Sequence, residues 1–238
     1  AAAVGGDPLY VEDVFSTNLY TGNGTTGQTI TTGFDLAGEG GLVWIKSRSN
    51  ANNNQLFDTV RGHRECLVSN DTAAEAESAD AAYDLTAFTS AGFTLGGANS
   101  FFVNDTGYTY AAWTFREAPG FFDIVTWTGD AVDGREIAHN LGSVPGCIIA
   151  KRLSGADNWA VYHRESNAVD PEDYAFALNT AAAAVNQSVW NDTAPTDSVF
   201  TVDEDSRING SGSTYVAYLF AHDDQIFGAD EDESIIKC

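Results

Sequence analysis

Four histidines, His63, His139, His163 and His222, are by type the residues best suited to move a proton near neutral pH. None stands in HExxH or HxH spacing, so no zinc-hydrolase centre is written in them. His63 and His163 fall near each other when the two halves of the chain are aligned, and each precedes an arginine (Arg64, Arg164). No nucleophile or metal partner repeats beside them, so they read as strand-end residues that pack or hydrogen-bond. GxSxG is absent, and Gly210-Ser-Gly-Ser213 has the composition of a hairpin turn. Gly38-Glu-Gly-Gly41 runs into a strand and carries no Lys-Ser/Thr, unlike a phosphate loop. Glycoside hydrolysis needs two carboxyls about 5–10 Å apart across a cleft. Asp203/Asp205 and Asp170/Asp173 are pairs only by proximity in sequence, and neither recurs in the other half. The expectation is a protein with no catalytic residues and no enzymatic activity.

Binding chemistry has two candidate sets. Asp203, Asp205, Asp223 and Asp224, with Asp230-Glu-Asp-Glu233, would offer hard oxygen ligands to Ca2+, the one cofactor these residue types suggest. They complete no DxDxDG loop, and a solvated acidic surface is the plainer reading. Trp159 follows Asp157-Asn158 and Trp190 precedes Asn191-Asp192, so these two are the choices for stacking on a sugar ring, with packing as the plainer alternative. Trp44, Trp113 and Trp127 lie on strands and read as core. The cysteines Cys66, Cys147 and Cys238 are odd in number and lack CxxC spacing, which fits isolated thiols and neither a disulfide framework nor a zinc site.

Charge removes further classes. The 238 residues include 34 acidic and 11 basic side chains, a net charge of −23 that repels phosphate backbones and anionic lipid. Nucleic-acid and membrane-surface partners are therefore not expected. No apolar run approaches the ~20 residues of a membrane-spanning helix. With hydrophobic residues at 43% of the chain there is enough apolar material for a core despite the charge. Low lysine and high acidity suit salty surroundings, where repulsion is screened within ~10 Å. The opening AAAVGGDPLYVED has neither a basic nor an apolar leader region, and the chain contains no Met. It reads as processed, or as a piece of something longer.

The elements that would position these residues are repeated. Gly41-Leu-Val-Trp-Ile-Lys46 returns as Gly146-Cys-Ile-Ile-Ala-Lys151, and Thr109-Tyr-Ala-Ala-Trp-Thr-Phe115 returns as Thr214-Tyr-Val-Ala-Tyr-Leu-Phe220. Leu19-Tyr-Thr-Gly22 answers Thr126-Trp-Thr-Gly129, Leu67-Val-Ser-Asn70 answers Ala177-Leu-Asn179, and Phe93-Thr-Leu95 answers Phe200-Thr-Val202. Order is kept throughout, so the chain reads as two copies of one unit. The divisions are an N-terminal extension (1–12), a first copy (13–118), a second copy (121–222), and an acidic linker (223–238). Ser234-Ile-Ile-Lys-Cys238 would there open the first strand of a third copy. Runs rich in Val, Ile, Thr, Tyr, Phe and Trp between Gly, Asn, Asp and Ser predict strands at 122–128, 135–139, 146–153, 158–164, 173–178, 198–203 and 214–221. Residues 214–221 are apolar on both alternating faces, which marks a central strand. The fold class is all-β: two tandem, jelly-roll-like β-sandwich domains. Ala-rich stretches 73–82 and 180–185 predict short helical inserts.

Taken together, Asn18-Leu-Tyr-Thr-Gly-Asn-Gly24, Gly38 to Lys46, Phe88 to Gly96, Tyr110 to Phe115, His139 to Lys151, Asn158 to His163 and Tyr215 to Phe220 resemble a repeat domain of tailed-bacteriophage virion proteins, particularly marine ones. The resemblance runs from Asp13 over nearly the whole chain. It implies a non-enzymatic structural component of the virion, outside the cell, such as a tail-fibre or host-attachment appendage. Its partners would be other virion proteins, further copies of itself (a trimer, by analogy with fibres) and a host-surface glycan. It carries no catalytic or ligand residues over to this chain. A capsid decoration protein and a secreted carbohydrate-binding module are the alternatives.

Overall fold

A computed structural model describes residues 8–97 and 100–238. The first half holds β1 (Phe15–Thr21), β2 (Gln28–Thr31), β3 (Gly41–Ser47), β4 (Asn54–Asp58), β5 (Gly62–Val68), β6 (Ala76–Glu77), β7 (Leu85–Thr89), β8 (Gly92–Leu95) and β9 (Thr109–Arg116). The second holds β10 (Phe122–Thr128), β11 (Arg135–Ala138), β12 (Pro145–Arg152), β13 (Ala160–His163), β14 (Tyr174–Ala177), β15 (Val185–Asn186), β16 (Val199–Val202) and β17 (Thr214–Ala221). Every pairing is antiparallel. The chain is an all-β sandwich fold.

Two six-stranded sheets dominate, with orders β1-β9-β3-β4-β5-β6 and β10-β17-β12-β13-β14-β15. The orders correspond strand for strand, and so do the registers: Trp44 lies opposite Trp113, and Ile149 opposite Tyr218. Polar details match as well. Asn54 N–H donates to Asn70 Oδ1, and Trp159 N–H donates to Asn179 Oδ1. The Tyr110 hydroxyl accepts from Asp105 N–H, as the Tyr215 hydroxyl accepts from Gly210 N–H. β17 is central and buried along its length except at Thr214, as its two apolar faces require.

The layers stack four deep. The small sheet β2-β8-β7 covers the outer face of the first large sheet around Val43, Ile45, Phe57, Phe93 and Tyr110. The pair β11-β16 covers the outer face of the second around Ile148, Tyr162, Phe200, Tyr215 and Leu219. The inner faces of the two large sheets pack on each other through Leu42, Leu56, Leu67, Phe122, Trp159, Tyr218 and Phe220. The halves thus share a core. The join is a tight turn in which Phe121 and Phe122 N–H donate to Ala118 O and Gly120 takes φ +71°.

The Ala-rich stretches are not helical. Residues 76–77 and 185–186 pair as two-residue edge strands, β6 on β5 and β15 on β14. Runs this short cannot repay helix nucleation, and the neighbouring sheet edge satisfies their backbone instead. The helical turns lie elsewhere, at Val11–Val14, Leu36–Glu39, Pro171–Asp173 and Ser188–Trp190. Residues 223–238 fold back onto the body of the chain. Asp223 N–H donates to Ile236 O, Cys238 N–H to His222 Nδ1, and Ile235, Ile236 and Cys238 pack against the shared core. Of the N-terminal extension, residues 1–7 lie outside the described residues.

Candidate functional site

One open site is a groove of about 440 Å³ lined by Trp44, Lys46, Asn54, Trp113 and Phe115. Strand alternation puts Leu42, Trp44 and Lys46 of β3 on the inner face, and the register sets Trp113 and Phe115 of β9 beside them. The second large sheet covers Leu42 and reaches Phe115 and the edge of Trp44, and leaves the rest of this face more open. Trp44 and Trp113, expected in the core, are half-buried here. Trp44 and Trp113 are direct cross-strand partners, and both line the groove. Lys46 Nζ donates to Asn52 O at 2.6 Å at the groove's rim.

The residues expected to stack on sugars are elsewhere. Trp159 is 0% exposed and Trp190 2%. Trp159 lies in the shared core, its Nε1 donating to Val68 O at 3.0 Å. Trp190 sits edge-on to Tyr162 and Phe200 in the outer core of the second half. Trp159 immediately precedes β13 and Trp190 ends the helical turn Ser188–Trp190, and both are covered by neighbouring elements, so their Asn/Asp neighbours say nothing about access. Trp127 is core, as expected.

Where the halves meet lies a charged network, buried at Asp58 and Arg61 and reaching solvent at Glu75. Asp58 and Arg61 have side chains 0% and 3% exposed. Arg61 Nε donates to Asp58 Oδ2 at 2.5 Å, Nη1 to Glu75 Oε1 at 2.8 Å, and Nη2 to the Tyr218 hydroxyl at 3.2 Å. That hydroxyl donates to Asp58 Oδ2 at 2.8 Å. Burial alone would lower the Arg61 guanidinium, but Tyr218, Asp58 and Glu75 outweigh it and hold it above its ordinary value. Burial raises the Tyr218 phenol well above its own. This set is chemically a clamp: its donors and acceptors are paired with one another. Beside it, Glu117 is pushed up to about 7 by burial, then by Asp123 and Asp58. Lys151, wholly buried, donates to Thr72 O at 3.1 Å and Asp157 O at 3.0 Å, and burial lowers it to about 8.

The remaining candidates are dispersed. His163 occupies the register position of Asp58, not that of His63, because β4 and β13 align at the same offset as β3 and β12. His139, His163 and His222 each accept a backbone N–H on Nδ1. Burial lowers His139, whose Nε2 faces Thr196 O at 3.3 Å. Asp205 is held by Arg207 at 2.7 Å and Asp203 accepts from Ser188 Oγ, while Asp223 pairs with Lys237 at 2.9 Å. Asp224 lies beside Gly120 at the join. Among the described residues no three His, Cys, Asp or Glu converge as a metal site. Cys66, Cys147 and Cys238 are free thiols, and burial raises Cys147 to about 12. No described helix is long and apolar enough to cross a membrane.

A family model described as a domain of unknown function (DUF7483) matches residues 11–226, a span that takes in both halves. No curated protein and no solved structure matches the chain.

Proposed function

Because this chain belongs to the DUF7483 family, whose description carries no activity, we propose a function from its own residues: a non-enzymatic structural protein of a tailed-phage virion. In this reading residues 13–118 and 121–222 are two copies of a sandwich unit, and the protein serves in a tail-fibre or attachment appendage on the outside of the virion. The observation that carries the reading is the fused interior. Phe115 meets Phe122 at 5.6 Å and Phe220 at 5.4 Å, and the Asp58–Arg61–Tyr218 clamp ties the sheets beside them. Backbone bonds tie the same seam: Asp157 N–H to Thr72 O, and Glu75 N–H to Leu153 O. Buried charges so paired fix one arrangement of two sheets, which is what a spacer that must hold its shape requires. A chain of −23 also stays soluble at the high local concentration of an assembled particle.

Gold-labelled antibody against the chain, applied to purified particles of the phage that encodes it, tests this. Label on the tail or its fibres is the expected result. Label confined to the head would make it a capsid decoration protein. Intact particles without label, and the protein free in the medium, would leave the secreted-module alternative.

A further inference from the structure

We propose that the Trp44–Trp113 groove is the docking site for a second copy of this chain, received head to tail through the outer edge of that copy's second half. The argument starts from correspondence. Each of the five groove residues has a partner 105 positions on: Ile149, Lys151, Trp159, Tyr218 and Phe220 stand for Trp44, Lys46, Asn54, Trp113 and Phe115. All five partners lie at the seam with the first half. Lys151 reaches Thr72 O, Trp159 reaches Val68 O, Tyr218 reaches Asp58, Phe220 meets the ring of Phe115, and Ile149 packs against the shared core. The groove is therefore the first half's version of the surface with which the second half grips its neighbour. Its Trp113 end is left open because the seam is mostly between unlike surfaces: although Phe115 meets its own counterpart Phe220, the polar contacts of Lys151, Trp159 and Tyr218 go to Thr72, Val68 and Asp58 at the β4–β6 edge. A contact of that kind leaves one complementary surface unused at each end, whereas a two-fold contact would use both.

The complementary edge lies in the second half. There β14 and β15 repeat β5 and β6 at an offset of 109, so Ala177 and Ala181 stand where Val68 and Thr72 stand. The acceptors that Trp159 and Lys151 use are backbone carbonyls, so a change of side chain does not remove them. Ala181, Ala182 and Ala183 are exposed and small enough for close approach, and Leu178 and Val185 are exposed at 37% and 49%. A sugar could also stack on an indole here, but the position-by-position match of the groove with an existing protein-gripping surface favours a protein occupant. This inference stands apart from the place of the chain in a particle.

Sedimentation velocity tests it, run up to about 1 mM protein, the affinity range of a weak contact, and in about 0.5 M salt to screen like-charge repulsion. The wild type is expected to grow in mean size with concentration. Trp113→Glu blocks the groove and Ala182→Arg the edge, so each alone stays monomeric. Mixed, they form a one-to-one complex, since each keeps the surface that the other lacks. Lys46→Glu serves as a second groove variant, and unchanged circular dichroism and melting temperature confirm that each variant folds. A wild type that stays monomeric throughout overturns the proposal; if a glycan array also shows binding lost in Trp113→Glu, the groove belongs to a sugar. Wild-type dimers without pairing of the mixed variants would mean groove-to-groove association, and would overturn it too.

Discussion

At Arg61 five donors meet two carboxylates, two main-chain oxygens and a phenol with almost no water present. Removing one member of such a set leaves the others buried and unpaired. Arg61→Ala is expected to cost about 3–5 kcal/mol, and Tyr218→Phe, which removes one hydroxyl, about 1–2 kcal/mol. Urea unfolding of the two variants should show that ranking; no cost for Tyr218→Phe would mean that Tyr218 acts through its ring alone. Glu117 gives a pH signature. Its folded carboxyl titrates near 7, above the ordinary 4.5, so between those values the folded state binds the extra proton. Stability therefore falls as pH rises through that window and is level above it. Glu117→Gln removes the cost of ionising among Asp123 and Asp58. Relative to wild type, it should be more stable at pH 8 than at pH 5. A difference independent of pH would show that the carboxyl is already ionised at pH 5.

At the scale of the strand and turn, the two halves predict each other. A Cβ on Gly22 would come within 2.3 Å of Asp105 O, and one on Gly129 within 2.3 Å of Gly210 O. These are the glycines that close the matched segments Leu19–Gly22 and Thr126–Gly129, and backbone on the far side leaves no flexible neighbour to yield. Gly22→Ala and Gly129→Ala should each destabilise by about 1–3 kcal/mol. Thermal melts that lose several degrees for one and none for the other would show that the two turns are not under the same constraint. Alternation explains why the large residues of β17 stay buried on both faces, and why two-residue strands took over the Ala-rich segments: an available sheet edge beats a helix too short to nucleate.

For the molecule as a whole, the shared core makes the halves one cooperative unit. Thermal unfolding should give a single transition. Phe220→Ala, at the seam, should shift that transition without splitting it, by the roughly 3–5 kcal/mol of an aromatic truncation. Two resolved transitions would show that each half holds its fold alone. The charge of −23 acts at the same scale, and added salt should raise the melting temperature by screening self-repulsion.

Strand positions in the second half, the central place of β17 and the matching of the halves were all legible in the residues, because two-residue alternation, turn composition and repetition are local properties of a chain. The same alternation assigned each tryptophan to a face but not to an environment. Whether a face meets water depends on how far two sheets overlap, and overlap is set by contacts between residues about a hundred positions apart. That is why Trp159 and Trp190 proved buried while Trp44 and Trp113 are only half-buried, and why Asp58 and Arg61, unremarkable in sequence, close the seam. Pairing Asp58 with Tyr218 across the seam required the second sheet to arrive; only the tertiary structure supplies that neighbour, and with it the low dielectric that makes the pair matter.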